Sequence, residues 1–320
     1  MEFEIRPPKS YPVPGHEGLE STYGWHPGMP KNIILRISKS SFGGNGFCQQ
    51  QYFIKWGLGV KEPPNDAMTR GSNVHDATED FYRDLNIENA SSMRSYGYDK
   101  LLQHFRGFIP HANPKRGLFK LDEEVHLDKL LTAEAKRFMV SEPQHFLPIA
   151  NEIPLDAVVE IDGQLVHLTG IIDRMFMDGE GNIHIHELKT GVWKDKPKKW
   201  ESMRKEMAFY VYLLNKCDHP KLGGQNAAYW GWDHTAGLLD TYDDRVFRHI
   251  ENIKPGILSA MKKDISFLIR QHNGWDGGIH GPSFPLKDIR AVRWICEPWC
   301  RVKGYCPRYE RVAMPYEEEE

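Results

Sequence analysis

The chain has 320 residues, of which 40% are hydrophobic, so it is long enough to bury a large core. Its mean hydropathy of −0.57 and the lack of a long apolar run argue against a membrane span. A formal net charge of −3 argues against a protein that coats nucleic acid through its overall charge, but it leaves room for local basic patches.

The composition along the chain predicts one elaborated domain between two irregular ends. Residues 1–32 are rich in proline and glycine with little periodicity, which predicts an irregular arm, and the acidic residues 313–320 are expected to form a disordered tail. A single domain is predicted over residues 33–312. Its parts are a helical cap over about 48–140, an α/β core over about 150–235, and a C-terminal helix with a cysteine loop over about 249–308.

A helix in the cap carries the first candidate ligand, His75. The segment opens at Arg70, and Ser72 or Asn73 is a suitable N-cap. The apolar stripe of this helix consists of Val74, Ala77, Phe81 and Leu85. His75 lies on another face, one turn from Glu79. A lone histidine is more often structural than a ligand, so its role depends on what else the fold brings to it.

Three β-strands are predicted between Val158 and Leu188, separated by turns at Asp162-Gly163 and Asp178-Gly179. In the last strand the residues alternate between the two faces of the sheet. One face carries Ile183, Ile185, Glu187 and Lys189, and the other carries His184, His186 and Leu188.

Asp173 on the neighbouring strand completes a candidate catalytic group with Glu187 and Lys189. Two carboxylates suit a hard cation such as Mg²⁺ or Mn²⁺. A lysine beside them can stabilise an attacking hydroxide or a pentavalent phosphate. A Glu-x-Lys triplet alone is usually a solvated strand edge, so the assignment depends on the wider set of residues.

A helix over Trp200 to Leu214 follows, and it places Glu206 and Tyr210 one turn apart. The segment before it interleaves basic and aromatic residues, namely Lys194, Lys196, Lys198 and Lys199 with Trp193 and Trp200. This pattern is typical of single-strand binding through phosphate contacts and base stacking. The alternative is a solvated lysine loop.

Five cysteines form the last pattern. Cys296, Cys300 and Cys306 lie in one compact loop, and three thiolates need a fourth ligand to hold a tetrahedral metal or a cubane cluster. Cys48 is the candidate, and Cys217 at a helix end is predicted to be a buried thiol. Zinc is the alternative to iron and sulfur. The polar first ten residues and the odd number of cysteines favour a reducing cytoplasm over export.

Four motifs occur in an order that resembles the PD-(D/E)xK nuclease superfamily, in particular its RecB-type branch. They are Gly-x-x-Val-His at 71–75, Gly-x-x-Asp at 170–173, Glu-x-Lys-Thr-Gly at 187–191 and Glu-x-x-x-Tyr at 206–210. The resemblance runs from about Arg36 to the last cysteines and implies a restriction-endonuclease-like mixed-sheet core.

The resemblance also implies residue roles. His75, Asp173 and Glu187 would bind the metal with the carbonyl of Leu188, and Lys189 would be catalytic. Accessory positions fall at Glu152, at Glu206, where the family usually has glutamine, and at Tyr210.

The cysteines resemble those of the iron–sulfur RecB-type nucleases, which include the AddB nuclease domain and the CRISPR adaptation exonucleases. In those proteins one upstream cysteine joins three near the C-terminus around a [4Fe–4S] cluster. The spacing here is C-x3-C-x5-C, against the usual C-x2-C-x5-C. The resemblance implies that Cys48, Cys296, Cys300 and Cys306 hold a cluster that closes the N- and C-terminal regions together.

Two functions follow as hypotheses. The first is a metal-dependent DNA exonuclease acting on single strands or DNA ends in recombination, repair or replication. Because no helicase motif is present, a helicase or recombination protein would be a partner. The second is a non-catalytic nucleic-acid-binding or assembly subunit that keeps the fold. The intact Asp173, Glu187 and Lys189 favour the first, whereas Glu206 is compatible with the second.

Overall fold

The computed structural model describes residues 9–60, 66–109, 121–238, 245–278, 281, 296, 300 and 302–306. The predicted acidic tail, residues 313–320, lies outside the described residues, as does most of the predicted cysteine loop apart from the cysteines themselves and residues 302–305. None of the helices in the described part of the chain combines the length and the apolar run that a membrane crossing requires.

The strands of the described residues are β1 (Ser10–Pro12), β2 (Glu20–Thr22), β3 (Ile33–Ser38), β4 (Ala150–Ile161), β5 (Gln164–Met177), β6 (Ile183–Lys189), β7 (Ala227–His234) and β8 (Phe247–Asn252). The α-helices are α1 (Lys39–Phe47), α2 (Gln49–Tyr52), α3 (Asp66–Asp84), α4 (Ile87–Ser95), α5 (Tyr98–Arg106), α6 (Leu121–Val140), α7 (Pro197–Lys216) and α8 (Pro255–Asn273). A wider π-helical turn over Phe53–Gly57 continues α2, and short 3₁₀ turns cover Pro143–His145 and Lys303–Tyr305.

These strands form one mixed sheet in the order β1-β2-β3-β5-β6-β7-β8, and β4 pairs with β5 outside this path. Three neighbouring pairs are parallel, β2 with β3, β3 with β5 and β6 with β7, and the other pairs are antiparallel. The prediction of a mixed α/β fold is confirmed, and the sheet with its helices is consistent with a restriction-endonuclease-like core.

The long strand β5 divides the sheet. Antiparallel β4 runs along one edge of β5 for nearly its whole length. On the other edge β3 pairs with residues 166–169 of β5 and β6 pairs with residues 174–177. Residues 170–173 therefore lie between the two pairings, and we call this stretch the fork. Because β3 is parallel and β6 antiparallel to β5, the C-terminal ends of both strands point into the fork.

Two hydrophobic cores hold the sheet and the cap. The larger core lies between the sheet and helices α1, α7 and α8, and the second joins α3, α5 and α6 through rings such as Phe81, Phe105 and Phe138. Helix α7 packs closely over the fork, since a Cβ at Gly170 would lie 3.1 Å from both Leu213 and the Tyr210 ring. The close approach explains why the Gly-x-x-Asp motif begins with glycine.

The N-terminal segment differs from the predicted irregular arm. Strands β1 and β2 within it extend the sheet beyond β3. Each has only three residues and is stabilised by pairing with the rest of the sheet, so no local periodicity could reveal it.

Candidate active site

The fork brings together the predicted Asp173, Glu187 and Lys189. Asp173 ends the fork on β5, and Glu187 and Lys189 lie on β6 beyond the last residue of that strand that pairs with β5. Oδ2 of Asp173 accepts a hydrogen bond from the backbone N–H of Leu188 at 2.7 Å. The Asp173 carboxylate thus replaces a missing ladder bond and holds the end of β6 in place.

Glu187 is the most enclosed of these residues, with 3% of its surface exposed. Its Oε1 atom accepts hydrogen bonds from Nζ of Lys189 and from Nζ of Lys39, each at 2.5 Å. Its Oε2 atom is buried and has no hydrogen-bond partner among the described residues. A buried carboxylate oxygen without a partner is costly, and a bound cation would satisfy it.

Three other ligand atoms form a compact group. One ligand atom each of His75, Glu152 and Asp173 lies within 4.8 Å of the others, a separation compatible with one metal ion. Nδ1 of His75 is 3.1 Å from Oε1 of Glu152, and its Nε2 is 3.0 Å from the carbonyl oxygen of Leu188. Of the predicted ligands, His75, Asp173 and Leu188 therefore meet in the structure, and the accessory residue Glu152 joins them. The predicted ligand Glu187 is not a member of this compact group.

The cap helix α3 reaches the site through a small apolar contact. Val74 of α3 packs with Leu130 of α6 and Leu188 of β6, and all three are buried. This contact fixes the adjacent His75 beside the carbonyl group of Leu188.

The backbone at Glu152 explains how its side chain reaches the site. Glu152 lies opposite Asp173, between the registered pairs Asn151–Arg174 and Ile153–Ile172. Its φ of 48° is in the left-handed region, which is strained for a residue with a side chain and recurs at functional sites.

Burial and neighbouring charges set the protonation of the group. Burial and the charge of Glu187 raise the pKa of Asp173 to about 6. Burial also opposes ionisation of Glu187, but Lys189 and Lys39 outweigh it and lower the pKa of Glu187. Burial disfavours the charged form of His75, but Glu152 and Asp173 raise its pKa. The carboxylates therefore form a negative site that favours a cation.

One residue of the site, Lys39, has no local sequence pattern that predicts its role. It begins α1 at the end of β3, and its Nζ lies 3.2 Å from Oε2 of Glu206 as well as against Glu187. It also lies 5.2 Å from the centroid of the Tyr210 ring. Burial opposes its charge, but Glu187 and Glu206 raise the pKa of Lys39. The extra negative charge of Glu206 is therefore paired with Lys39 in this chain.

We expect the pairing to appear as a coupling free energy. Replacing Lys39 with methionine should destabilise the protein, because Glu206 and Glu187 lose a shared counter-ion, and adding Glu206→Gln should recover part of the loss. In urea unfolding with a chelator, the coupling in the double-mutant cycle should be about 1–3 kcal/mol. The more exposed pair Lys205–Asp264, at 2.8 Å, is the matched control and should couple by less than about 1 kcal/mol. Equal coupling in the two pairs would contradict the assignment.

The predicted basic and aromatic segment from Trp193 to Trp200 extends into α7, which begins at Pro197. Trp193 has no exposed surface and stacks on Phe247, with ring centroids 4.9 Å apart. It belongs to the core, so the prediction that its ring stacks on bases is wrong; a local pattern does not distinguish a core tryptophan from a surface one. Trp200 is half-buried, and the lysine side chains at 194, 196 and 198 are exposed. Burial lowers the pKa of Lys199.

The four predicted cluster cysteines are free thiols, all half-buried. Burial and the charges of Cys296, Cys48 and Cys306 raise the pKa of Cys300 to about 11, and the backbone N–H of Cys300 donates to the carbonyl oxygen of Cys296 at 3.2 Å. The side-chain amide of Gln51 lies 3.9 Å from Sγ of Cys300, which places α2 beside that cysteine.

Cys217 lies apart from this group. It is buried, and its thiol donates a hydrogen bond to the carbonyl oxygen of Leu214 at 3.3 Å. The prediction of a buried structural thiol is confirmed.

A mixed sheet that gathers an aspartate, a glutamate and a lysine beside a candidate metal group supports a nuclease. The chain belongs to the PD-(D/E)XK nuclease superfamily, since the model of that family matches residues 36–307. No protein with a curated description matches the chain.

Two solved structures are similar to parts of the chain. The crystal structure of SSO0001 is 15% identical with a TM-score of 0.32, and the match covers 50% of this chain and 61% of that one. This chain thus spans about three fifths of its length. A protein from Eubacterium rectale named "Putative exonuclease" is 12% identical with a TM-score of 0.39, over 82% of this chain and 93% of that one.

Proposed function

We propose that the protein is a metal-dependent DNA exonuclease of the RecB-type branch. The observation that carries this proposal is the state of Glu187. One of its oxygens is held by two lysines, and the other is buried and has no hydrogen-bond partner in the described part of the chain. The free Oε2 atom can therefore bind a cation, and the ammonium group of Lys189 lies beside the same carboxylate.

The residues present fit a hard divalent cation such as Mg²⁺ or Mn²⁺. His75 and Asp173 would hold it together with the carbonyl group of Leu188, and Glu152 is close enough to serve as a further ligand. Glu187 lies outside that compact group and would add its Oε2 atom, which has no hydrogen-bond partner among the described residues. When bound, the cation supplies Lewis-acid stabilisation of the negative charge that develops on the phosphate.

Lys189 has the position of a catalytic ammonium group. Its Nζ contacts Oε1 of Glu187 at 2.5 Å and Oε2 of Glu206 at 3.5 Å, and 29% of the side chain remains exposed. Burial opposes its charge, but Glu187 raises the pKa of Lys189, so the group stays protonated at neutral pH. Two contacts leave one N–H group for a water molecule or a phosphate oxygen, where it would orient the nucleophile or stabilise the phosphate.

The proposed DNA contacts rest on residues just before α7 and in its first turn, namely Lys194, Lys196, Lys198 and Lys199 with Trp200. The exposed cations can contact phosphates in any sequence, so binding should weaken with salt. A single strand or a DNA end is the proposed substrate, and a helicase or recombination protein is the proposed partner that would supply it.

Digestion of labelled linear and circular DNA tests the exonuclease assignment. With Mg²⁺ or Mn²⁺ the protein should degrade linear DNA and leave covalently closed circles intact, because an exonuclease needs an end. Cleavage of circles at a rate equal to that of linear DNA would instead identify an endonuclease.

We further propose that Cys48, Cys296, Cys300 and Cys306 hold a [4Fe–4S] cluster. In support, the four thiols are free and half-buried, and the side-chain amide of Gln51, three residues after Cys48, lies 3.9 Å from Sγ of Cys300. The cluster would cross-link distant parts of the chain and stabilise the closed fold. Free thiols and such a cluster suit a reducing compartment, so we place the protein in the cytoplasm.

Anaerobically purified protein should therefore be brown and contain iron and acid-labile sulfide. Cys48→Ser should remove the colour and lower the unfolding temperature, because the cluster loses the ligand that connects it to α1 and α2. Cys217→Ser is the matched control and should keep the colour, since that thiol bonds only within its own helix end. Zinc without iron in the anaerobic protein would overturn the proposal.

A further inference from the structure

A cleft of about 800 Å³ opens from the active site toward β3 and β1. Its volume is within the range of small-ligand pockets, roughly 300–1,000 Å³. At one end it is lined by Asp173, Lys39 and Tyr210, so it is continuous with the candidate active site. Its walls farther out include Tyr11, Tyr23, Arg36, Trp56, Asp156 and His167.

Arg36 is the cation of this cleft. Its guanidinium group stacks against Tyr11, 4.7 Å from the ring centroid, and lies 5.7 Å from that of Tyr23. Its Nε donates a hydrogen bond to the hydroxyl group of Tyr23 at 3.3 Å. Within the described ranges no carboxylate forms an ion pair with Arg36. A half-buried guanidinium held by neutral groups keeps its charge available for an anion, and its planar donors match a phosphate.

The neighbouring His167 side chain is neutral, so it neither repels a bound anion nor neutralises the charge of Arg36. Burial and the charge of Arg36 lower the pKa of His167, so its ring is neutral at pH 7. Its Nδ1 accepts a hydrogen bond from the hydroxyl group of Ser21 at 2.7 Å, and its Nε2–H donates to Oδ2 of Asp156 at 3.2 Å. The histidine thus engages the Asp156 carboxylate and presents an acceptor toward Arg36, with Nδ1 and Nη1 3.4 Å apart.

Aromatic rings accompany the cation. Tyr11, Tyr23 and Trp56 are half-buried, so part of each ring faces the cleft. Lys9 and Lys55 lie near two of these rings, 4.9 Å from the centroid of Tyr11 and 4.8 Å from that of Trp56. Cations interleaved with exposed rings are suited to unpaired nucleotides, whose phosphates and base faces are both accessible.

We propose that this cleft is a subsite for single-stranded DNA next to the scissile phosphate. Arg36 contacts a phosphate, and the tyrosines and Trp56 contact the bases. The inference rests on the proposed function and adds a second set of DNA contacts to those proposed for Lys194–Lys199. Arg36 approaches the fork from β3, whereas Lys194–Lys199 follow β6, on the other side of the fork. A strand that crosses the metal site would then be held on both sides.

Binding of a fluorescein-labelled oligothymidylate, measured by anisotropy with a chelator present, tests the subsite. Arg36→Gln should weaken binding about tenfold, and the slope of log affinity against log salt should fall by about 0.7, the value for one lost phosphate contact. In cleavage with Mn²⁺ the same variant should raise KM and leave kcat nearly unchanged, because the contact is made equally before and during reaction. Lys100→Gln, which removes an exposed charge on α5, is the control and should change neither quantity.

A second variant, Tyr11→Leu, keeps the subsite testable if Arg36→Gln does not fold. Tyr11 lies on the short edge strand β1, so Tyr11→Leu should keep the fold, as thermal unfolding would verify, and weaken binding without changing the salt slope. Unchanged affinity and KM in both folded variants, or in Tyr11→Leu alone if Arg36→Gln unfolds, would overturn the subsite. Loss of the proposed function would look different, because wild-type protein would then cut no DNA with either metal, whatever the oligonucleotide binding showed.

Discussion

Replacing Lys189 with methionine should lower the rate of phosphodiester cleavage by about 10²–10³-fold. The substitution removes the ammonium group beside Glu187, which we expect to stabilise the nucleophile or the phosphate. The fold should persist, because the side chain is 29% exposed and Lys39 still donates a hydrogen bond to Oε1 of Glu187. Metal ligands are untouched, so the affinity for Mn²⁺ should be equal or higher once a nearby positive charge has gone.

Three measurements on that variant separate catalysis from structure. Single-turnover cleavage gives the chemical rate, calorimetric titration with Mn²⁺ gives metal binding, and circular dichroism gives the fold. Lys205→Met on α7 is the matched control, because that lysine pairs with Asp264 away from the fork. This variant should cleave DNA at the wild-type rate. Wild-type cleavage by folded Lys189→Met would remove this lysine from the mechanism.

Replacing Arg248 with methionine should cost about 3–5 kcal/mol of unfolding free energy, a large effect for a single substitution. Arg248 donates hydrogen bonds to both oxygens of Asp233, each at 2.8 Å, and to Oε1 of Glu134 at 2.6 Å. Asp233 has no exposed surface and Glu134 has 1%, so the substitution leaves buried carboxylates short of a counter-ion.

The network lies on the face of the sheet opposite the active site. Arg174 and His186 contact Asp233, and each is the chain neighbour of an active-site residue, Asp173 or Glu187. Because side chains alternate along strands, the two sets lie on opposite faces. The buried charges therefore stabilise, from the opposite face of the sheet, the strands that carry the candidate catalytic residues.

Urea unfolding checks this prediction, and acid provides a second readout. Burial opposes ionisation of Glu134, but Arg137 and Arg248 outweigh it and lower its pKa from 4.5 to about 2. A carboxyl group with a lowered folded-state pKa stabilises the protein fully above pH 4.5, and this contribution is lost as pH falls toward 2. Without Arg248 the pKa of Glu134 should rise, so the acid-induced loss of stability should begin at higher pH.

A matched control for Arg248 is Arg106. It pairs with both oxygens of Asp128, but the two side chains are 48% and 38% exposed, so Arg106→Met should cost less than about 1 kcal/mol. Equal effects of the two substitutions would mean that the buried network adds nothing beyond a surface ion pair.

Much of the geometry of β5 and β6, the strands that carry the candidate catalytic residues, could be predicted from local patterns. The alternation in β6 correctly separates Glu187 and Lys189 from His184 and His186, and the turn residues mark the ends of β5. These features depend on short-range periodicity, which a sequence shows directly.

Contacts between residues far apart in the sequence could not be predicted from local patterns. Lys39 enters the site only because β3 pairs with β5 in parallel across about 130 residues, and nothing in its own neighbourhood indicates this. The position of Glu152 opposite Asp173 depends on the register of β4 with β5 and on its unusual backbone. The burial of Trp193 depends on Phe247, which is far along the chain.

Cleavage of end-labelled single- and double-stranded DNA by chelator-treated protein, before and after adding Mg²⁺ or Mn²⁺, tests the central claim most directly. We expect no cleavage in the chelator, recovery when either metal is added, and little recovery for Asp173→Asn, which removes a charged ligand without changing shape. Wild-type protein that binds DNA but cuts neither substrate with either metal would contradict the proposed nuclease and identify instead a binding or assembly subunit that retains the fold.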